Sequence, residues 1–259
     1  MSRAMGLLML GILASPDIAR AQARVAAVRD AVVASITLED LAPGSGGVSL
    51  SADWIRPLPR GVITAGLASV AIGGVRWTVG RLGMAWRMRP RVMGDALLTL
   101  GPGSSAGDGF LYRQVRAGLS YAVIPDRLFV DGEGQVFNIA GLHGELVGAG
   151  LTIRPVRALG ARLSYARSVS GNYDADYLLL RADFQSGWGG GLGGVSAGRS
   201  APRVEDLTPG GSADAARREI FGGLVVPLLG AQWTLVLSHT WGDAVRRQAI
   251  VLTSRVPLR

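Results

Sequence analysis

Apolar residues recur at every second position through most of this chain. In GFLYRQVRAGLSYAV, residues 109–123, Leu111, Val115, Ala117, Leu119, Tyr121 and Val123 share one face. Tyr112, Gln114, Arg116, Gly118 and Ser120 share the other. ELVGAGLTIR sets Val147, Ala149, Leu151 and Ile153 against Gly148, Gly150, Thr152 and Arg154. AQWTLVLSHTW sets Trp233, Leu235, Leu237 and Trp241 against Gln232, Thr234, Ser238 and Thr240. RVMGDALLTL places Val92, Ala96, Leu98 and Leu100 opposite Asp95 and Thr99. A period of two is the signature of strands. Helices need apolar residues at three- and four-residue steps, and 38 glycines would weaken them.

Punctuation between these stretches comes in two kinds. Short knots rich in Pro or Arg, such as RPLPR, RPR, IPDR and PVRA, together with QSGW and PLLGA, fall at every second junction. Longer polar segments alternate with them: LAPGSGG, GPGSSAGDG, SVSGNYD and SAPRVEDLTPGGSADAA. The spacing of the knots would suit a repeat array, but the two-residue period excludes a helical one. The pattern predicts strands at 31–39, 47–56, 61–70, 75–88, 91–100, 110–123, 127–139, 145–154, 158–167, 175–185, 188–199, 216–227, 231–241 and 246–257. Most are near the ~9–11 residues that cross a tilted membrane. A meander with short turns at one end and longer loops at the other predicts an all-β, transmembrane, antiparallel up-and-down β-barrel of 14 strands. The first span alternates least regularly; without it, the even count such barrels require leaves 12.

Composition narrows the class. The chain has 259 residues, 48% hydrophobic and 18% charged. It has no Cys, which excludes a disulfide framework and thiolate metal sites. Its net charge is +8, and its basic residues are all Arg. An Arg-only chain fits a GC-rich genome; it also fits affinity for phosphate or carboxylate, which guanidinium pairs bidentately. At the N-terminus, Arg3, an apolar run over 6–14 and the small residues of Ala21-Gln22-Ala23 predict a secretory signal cut after Ala23. Residues 24–259 then form the barrel domain, exported to the cell outer membrane, with lipid and lipopolysaccharide as its surroundings.

The face opposite the apolar one would line the lumen. Its candidates are Asp95, Arg116, Asp131, Glu133, Arg154, Arg162, Arg181 and Asp183, with Asp53, Arg76, Arg81 and Gln135 beside them. Two readings stand. The charges form cross-lumen pairs that prop up a narrow barrel, or they line a polar, mildly anion-attracting conduit. Trp54, Trp86, Tyr121, Trp233 and Trp241, with Trp77, Phe129 and Trp188, fall near strand ends, where interfacial girdles form. The Gly-rich stretch WGGGLGGVSAGR reads as a bend or a close backbone approach.

Candidate chemistry is thin. The two histidines are His143, with Glu145 two residues on, and His239, on an apolar strand face. Neither has a serine in a recognisable nucleophile setting, so no catalytic residue is assigned. No ligand spacing for a metal is present, and DGEGQ from Asp131 lacks the rest of a calcium loop. No cofactor is implied, and the spread of basic residues offers no nucleic-acid platform.

The signal sequence, alternating ~10-residue strands and paired loop classes resemble a small Gram-negative outer-membrane β-barrel of the YaiO-like kind. The resemblance covers about residues 30–259 and is architectural. It implies a porin-like channel or structural component of envelope transport, with surface polysaccharide export and export components as partners. Such barrels usually end in an aromatic residue, whereas this chain ends VPLR; either Val256 or Leu258 substitutes, or assembly relies on an internal signal. Two alternatives remain open: an outer-membrane lipid-modifying enzyme using His143, and a secreted soluble barrel that binds a ligand.

Overall fold

The structure is a computed structural model, and it describes residues 30–42, 45–72, 75–105, 108–139, 142–171, 176–199, 216–242 and 246–258. Fourteen strands follow one another: β1 (Ala31–Ala42), β2 (Ser45–Leu58), β3 (Gly61–Ile72), β4 (Val75–Arg89), β5 (Val92–Ser105), β6 (Asp108–Ile124), β7 (Leu128–Ile139), β8 (Leu142–Val156), β9 (Leu159–Gly171), β10 (Asp176–Ser186), β11 (Gly189–Arg199), β12 (Ala216–Leu228), β13 (Ala231–Gly242) and β14 (Arg246–Pro257). Each pairs antiparallel with its sequence neighbours, and β1 pairs with β14 to close the ring. No helix occurs among the described residues. The span assigned to the signal lies outside them.

Closure is stitched on the inner side of the seam. Ser35 and Thr253 share a hydrogen bond of 2.9 Å, and Arg247 donates to the Glu39 carboxylate. The last backbone link is Leu258 N–H to the Asp30 carbonyl, 2.6 Å. A ring of fourteen strands ~4.8 Å apart, tilted ~40°, has a backbone radius of roughly 14 Å.

The usual distribution of polarity is inverted. Every strand presents at least one large apolar residue to the outside, from Leu38 on β1 through Leu98 on β5 to Ile250 on β14. Thr37, Glu39, Asp95, Gln114, Arg116 and Arg247 are instead buried within. An exposed apolar belt of this extent is what a bilayer accommodates and water does not.

Strands run further than the hydrophobic pattern alone suggests. β5 continues through GPGSS to Ser105, and β6 begins at Asp108, so most of the polar segment 101–109 is ladder. Backbone pairing needs no apolar side chain once a strand has left the lipid. Glycine helps locally: a Cβ on Gly103 would lie 2.3 Å from the Phe110 ring. β9 likewise absorbs Ser168 to Gly171. Segment 200–215 lies outside the described residues.

The Pro and Arg knots sit at the terminal end of the barrel, where β1 begins and β14 ends. Pro57 and Pro227 occupy the penultimate positions of β2 and β12, and Pro155 sits within a register shift between β8 and β9. These are sites where a ladder donor can be spared. The same end holds most of the net charge of the described chain. Within three residues of its turns, the start of β1 and the end of β14 lie Arg56, Arg60, Arg87, Arg89, Arg91, Arg127, Arg154, Arg157 and Arg255, against Asp30 and Asp126. That is a surplus of seven. The rest of the described chain carries twelve arginines against eleven acids.

Placing a charge in the outer belt tests its depth. Leu237→Arg, in the middle of β13, is expected to cost about 2–4 kcal/mol, whereas Val226→Arg, near the rim, costs about 0–1 kcal/mol. Reversible urea unfolding of the barrel in lipid vesicles measures both; equal costs would place the belt outside a bilayer.

Candidate functional site: the barrel interior

Pairing register fixes which side chains look inward. Asp95, Arg116 and Glu133 meet on β5, β6 and β7. Arg116 Nη2 reaches Asp95 Oδ2 at 3.4 Å, and its Nη1 lies 3.6 Å from Glu133 Oε2. The Arg116 side chain is only 5% exposed, so two carboxylates compensate one buried guanidinium. Tyr112, above it on β6, donates to Gln114 at 3.0 Å and stacks on Trp77 with 6.5 Å between ring centroids.

Two further pairs join strands that are not neighbours. Arg81 on β4 donates to Asp53 on β2 at 2.5 Å, over β3. Arg162 on β9 donates to Asp131 on β7 at 2.6 Å, over β8. Glycine on the strand between makes each bridge possible. A Cβ on Gly66 would lie 2.0 Å from Asp53 Oδ1; one on Gly150 would lie 2.7 Å from Asp131 Oδ2 and 3.1 Å from Arg162 Nη2. The bare backbone acts as a saddle for the ion pair. Gly160 leaves similar room for the Asp183 carboxylate, 3.0 Å from its absent Cβ.

Arg181 stands directly across from Arg162 in the β9–β10 ladder, with Asp183 two residues further along the same inner face. Arg154 faces inward near the terminal end of β8, half-buried, and its Nε lacks a hydrogen-bond partner. All eight of these candidate positions thus lie on the inner side of β5 to β10. Three other expectations are corrected. Arg76 points outward, while Trp77 and Phe129 are buried inside. β4 is apolar on both parities, with Val75, Trp77 and Val79 inward and Leu82 and Met84 outward. Its alternation alone therefore could not assign Trp77.

The ion pairs also run differently from the cross-lumen props expected. The pairs of Asp53, Asp95, Glu133, Asp131 and Glu39 with their arginines join adjacent or next-nearest strands. Side chains from opposite walls would have to span a bore of roughly 14 Å backbone radius, so charges settle with partners along the wall.

An apolar patch faces this charged arc. Leu179, Phe221, Val236 and Val251 pack together, with Leu192 against them, on β10 to β14. The Gly-rich β11 lets rings lie on both its faces. Phe221 covers Gly194 from inside, 2.6 Å from where a Cβ would stand, and Phe184 covers Gly191 from outside at 2.4 Å. The sequence signal for this patch was a few apolar residues on the otherwise polar parity: Phe221 and Val225 on β12, Val236 on β13, Ala249 and Val251 on β14.

Outside, Trp54, Trp86, Tyr121 and Trp233 lie within four residues of the terminal end. Arg56 sits over the Trp54 ring at 5.8 Å. Trp241 lies at the other end, stacked on His239 at 5.6 Å. His143 and Glu145 face outward on β8. Among the described residues, no group of three potential ligands could hold a metal ion.

No family model matches the chain, and no curated protein matches it. Solved structures do. The "CymD monoaromatic hydrocarbon channel" is similar over 88% of this chain and 87% of its own, with a TM-score of 0.62 and 13% identity. The toluene transporter TbuX of Ralstonia pickettii aligns over 90% of each chain, with a TM-score of 0.61 and 10% identity. A "Bacterial polysaccharide outer membrane secretin" aligns over 89% of this chain and 99% of its own, with a TM-score of 0.56 and 12% identity. At these identities the likeness is one of fold: a closed barrel of the outer-membrane type.

The saddle geometry is testable by a double-mutant cycle. Asp131→Asn removes the carboxylate charge from the buried pair with Arg162 and is expected to cost about 3–5 kcal/mol. In a Gly150→Leu background, where the pair is already forced apart, the same change should cost less than half of that. Additive costs in urea unfolding would show that Gly150 does not carry the bridge.

Proposed function

We propose that the chain is an outer-membrane barrel that conducts small polar solutes, with its terminal end in the periplasm. The observation that carries this reading is the combination of an apolar belt outside with lateral ion pairs inside. Charges paired along the wall hydrate a path without bridging it, which is how polar conduits are lined. The channel-type folds it resembles support the same reading. The arginine surplus at one mouth favours anions modestly over cations.

Within this role, envelope transport and surface polysaccharide export are supported by the fold likeness to a polysaccharide secretin and by the sequence resemblance to YaiO-like barrels. Export through a signal cleaved after Ala23 and insertion beside lipopolysaccharide belong to the same proposal. His143 and Glu145 face outward on β8, away from the polar interior that carries the conduit reading.

Planar-bilayer recording tests conduction. Purified, folded protein is expected to give discrete conductance steps with a chloride-to-potassium permeability ratio above one. Arg162→Gln should lower that ratio. A folded barrel that stays silent at all voltages overturns the conduit and leaves a structural role.

A further inference from the structure

The terminal rim divides into two arcs of different chemistry. Hairpins β2–β3, β4–β5, β6–β7 and β8–β9 carry eight of its nine arginines, and most of these are exposed. The remaining two turns carry none. At the β10–β11 turn Trp188 is 66% exposed, and at the β12–β13 turn Leu229 is 92% exposed. Leu229 and Gly230 have φ of 55° and 76°. Positive φ at both central residues is the type I′ hairpin turn, usually built from Asn-Gly or Asp-Gly. Leucine there adopts a backbone conformation it rarely visits, and it holds an apolar side chain out at the tip.

We propose that this rim is the docking surface for an acidic periplasmic protein. Its negative face would meet the arginine arc, and an apolar site beside that face would take Leu229 and Trp188. The inference rests on the outer-membrane reading for its orientation. Lateral asymmetry selects a protein over the inner phospholipid leaflet. Lipid surrounds a barrel on all sides and would favour arginines at every turn, whereas a folded partner has one acidic side and one apolar side. Depth agrees. The aromatics Trp54, Trp86, Tyr121 and Trp233 mark the interface, and the tips at Arg60, Arg91 and Leu229 extend several residues beyond it. Size agrees too: a disc of roughly 14 Å radius covers roughly 600 Å², near the ~800 Å² per partner of a standard interface. Exposed Arg and Trp are the residue types that dominate such interfaces.

Site-specific photocrosslinking in the producing cells tests this. A benzoylphenylalanine replaces Leu229, Arg157 or, as a control at the opposite end, Gly109. The expected result is one protein adduct, of the same protein, at the first two positions and none at the third. That protein should carry net negative charge. The combined variant Arg89→Glu, Arg91→Glu, Arg127→Glu should reduce the adduct at Leu229 at least tenfold. A gel shift between heated and unheated samples verifies that each variant remains a folded barrel. Adducts with phospholipid alone would assign the rim to the leaflet and overturn the proposal. So would a protein adduct indifferent to the charge reversal, or no adduct from a folded barrel. None of these results would disturb conduction, which the bilayer recording tests separately.

Discussion

Closure of the hydrogen-bonded ring is the constraint on which everything else depends. A strand edge in lipid would leave a row of unpaired N–H and C=O groups, and each costs several kcal/mol there. Pairing β1 with β14 removes both edges at once. Once the ring is closed, alternation does the rest: each strand must give one face to the outside and the other to the interior. Leu38 and Glu39, adjacent in the chain, therefore end in opposite surroundings.

The interior creates a second problem, since half-buried charges need partners. Fourteen strands make a ring too wide for opposite walls to satisfy one another. The solution is local. Arg116 is held between carboxylates on both flanking strands, while Asp53–Arg81 and Asp131–Arg162 reach over an intervening strand. Gly66 and Gly150 have no role that a propensity scale would recognise. Their function is to be empty space beneath a bridge. The many glycines of the chain thus have separate explanations: saddles under ion pairs here, platforms for Phe184 and Phe221 on β11.

The two ends of the barrel differ in the chemistry of their described residues. Through most of its height the described chain is balanced in charge, and nearly all of its surplus collects at the rim where β1 begins and β14 ends. The turns on that rim are short, so their side chains project from a rigid base and cannot fold away. Proline at strand ends and the register shifts beside Arg87 and Pro155 stop the ladder there. Rigidity is what makes such a rim usable for recognition, because little conformational entropy is lost on contact.

Much of the fold was legible in the sequence because the period of two is a local property. All fourteen spans, the alternation of Tyr112 with Leu111 and Val115, and the inward parity of Arg116, Asp131 and Arg162 follow from residues a few positions apart. Strand ends were less legible. GPGSS carries turn residues, yet it is ladder, because pairing with β6 outweighs local preference once a partner strand is present. Parity also failed on β4, where both faces are apolar and only the neighbours decide that Trp77 turns inward onto Tyr112. Who pairs with whom was beyond the sequence altogether. Asp131 and Arg162 are 31 residues apart, and Glu39 and Arg247 are 208 apart. The strand register brings them together, and register is a property of the whole closed sheet. The sequence by itself determined the strands and their two faces; the tertiary structure decided the partners, because only ring closure sets which strands lie side by side.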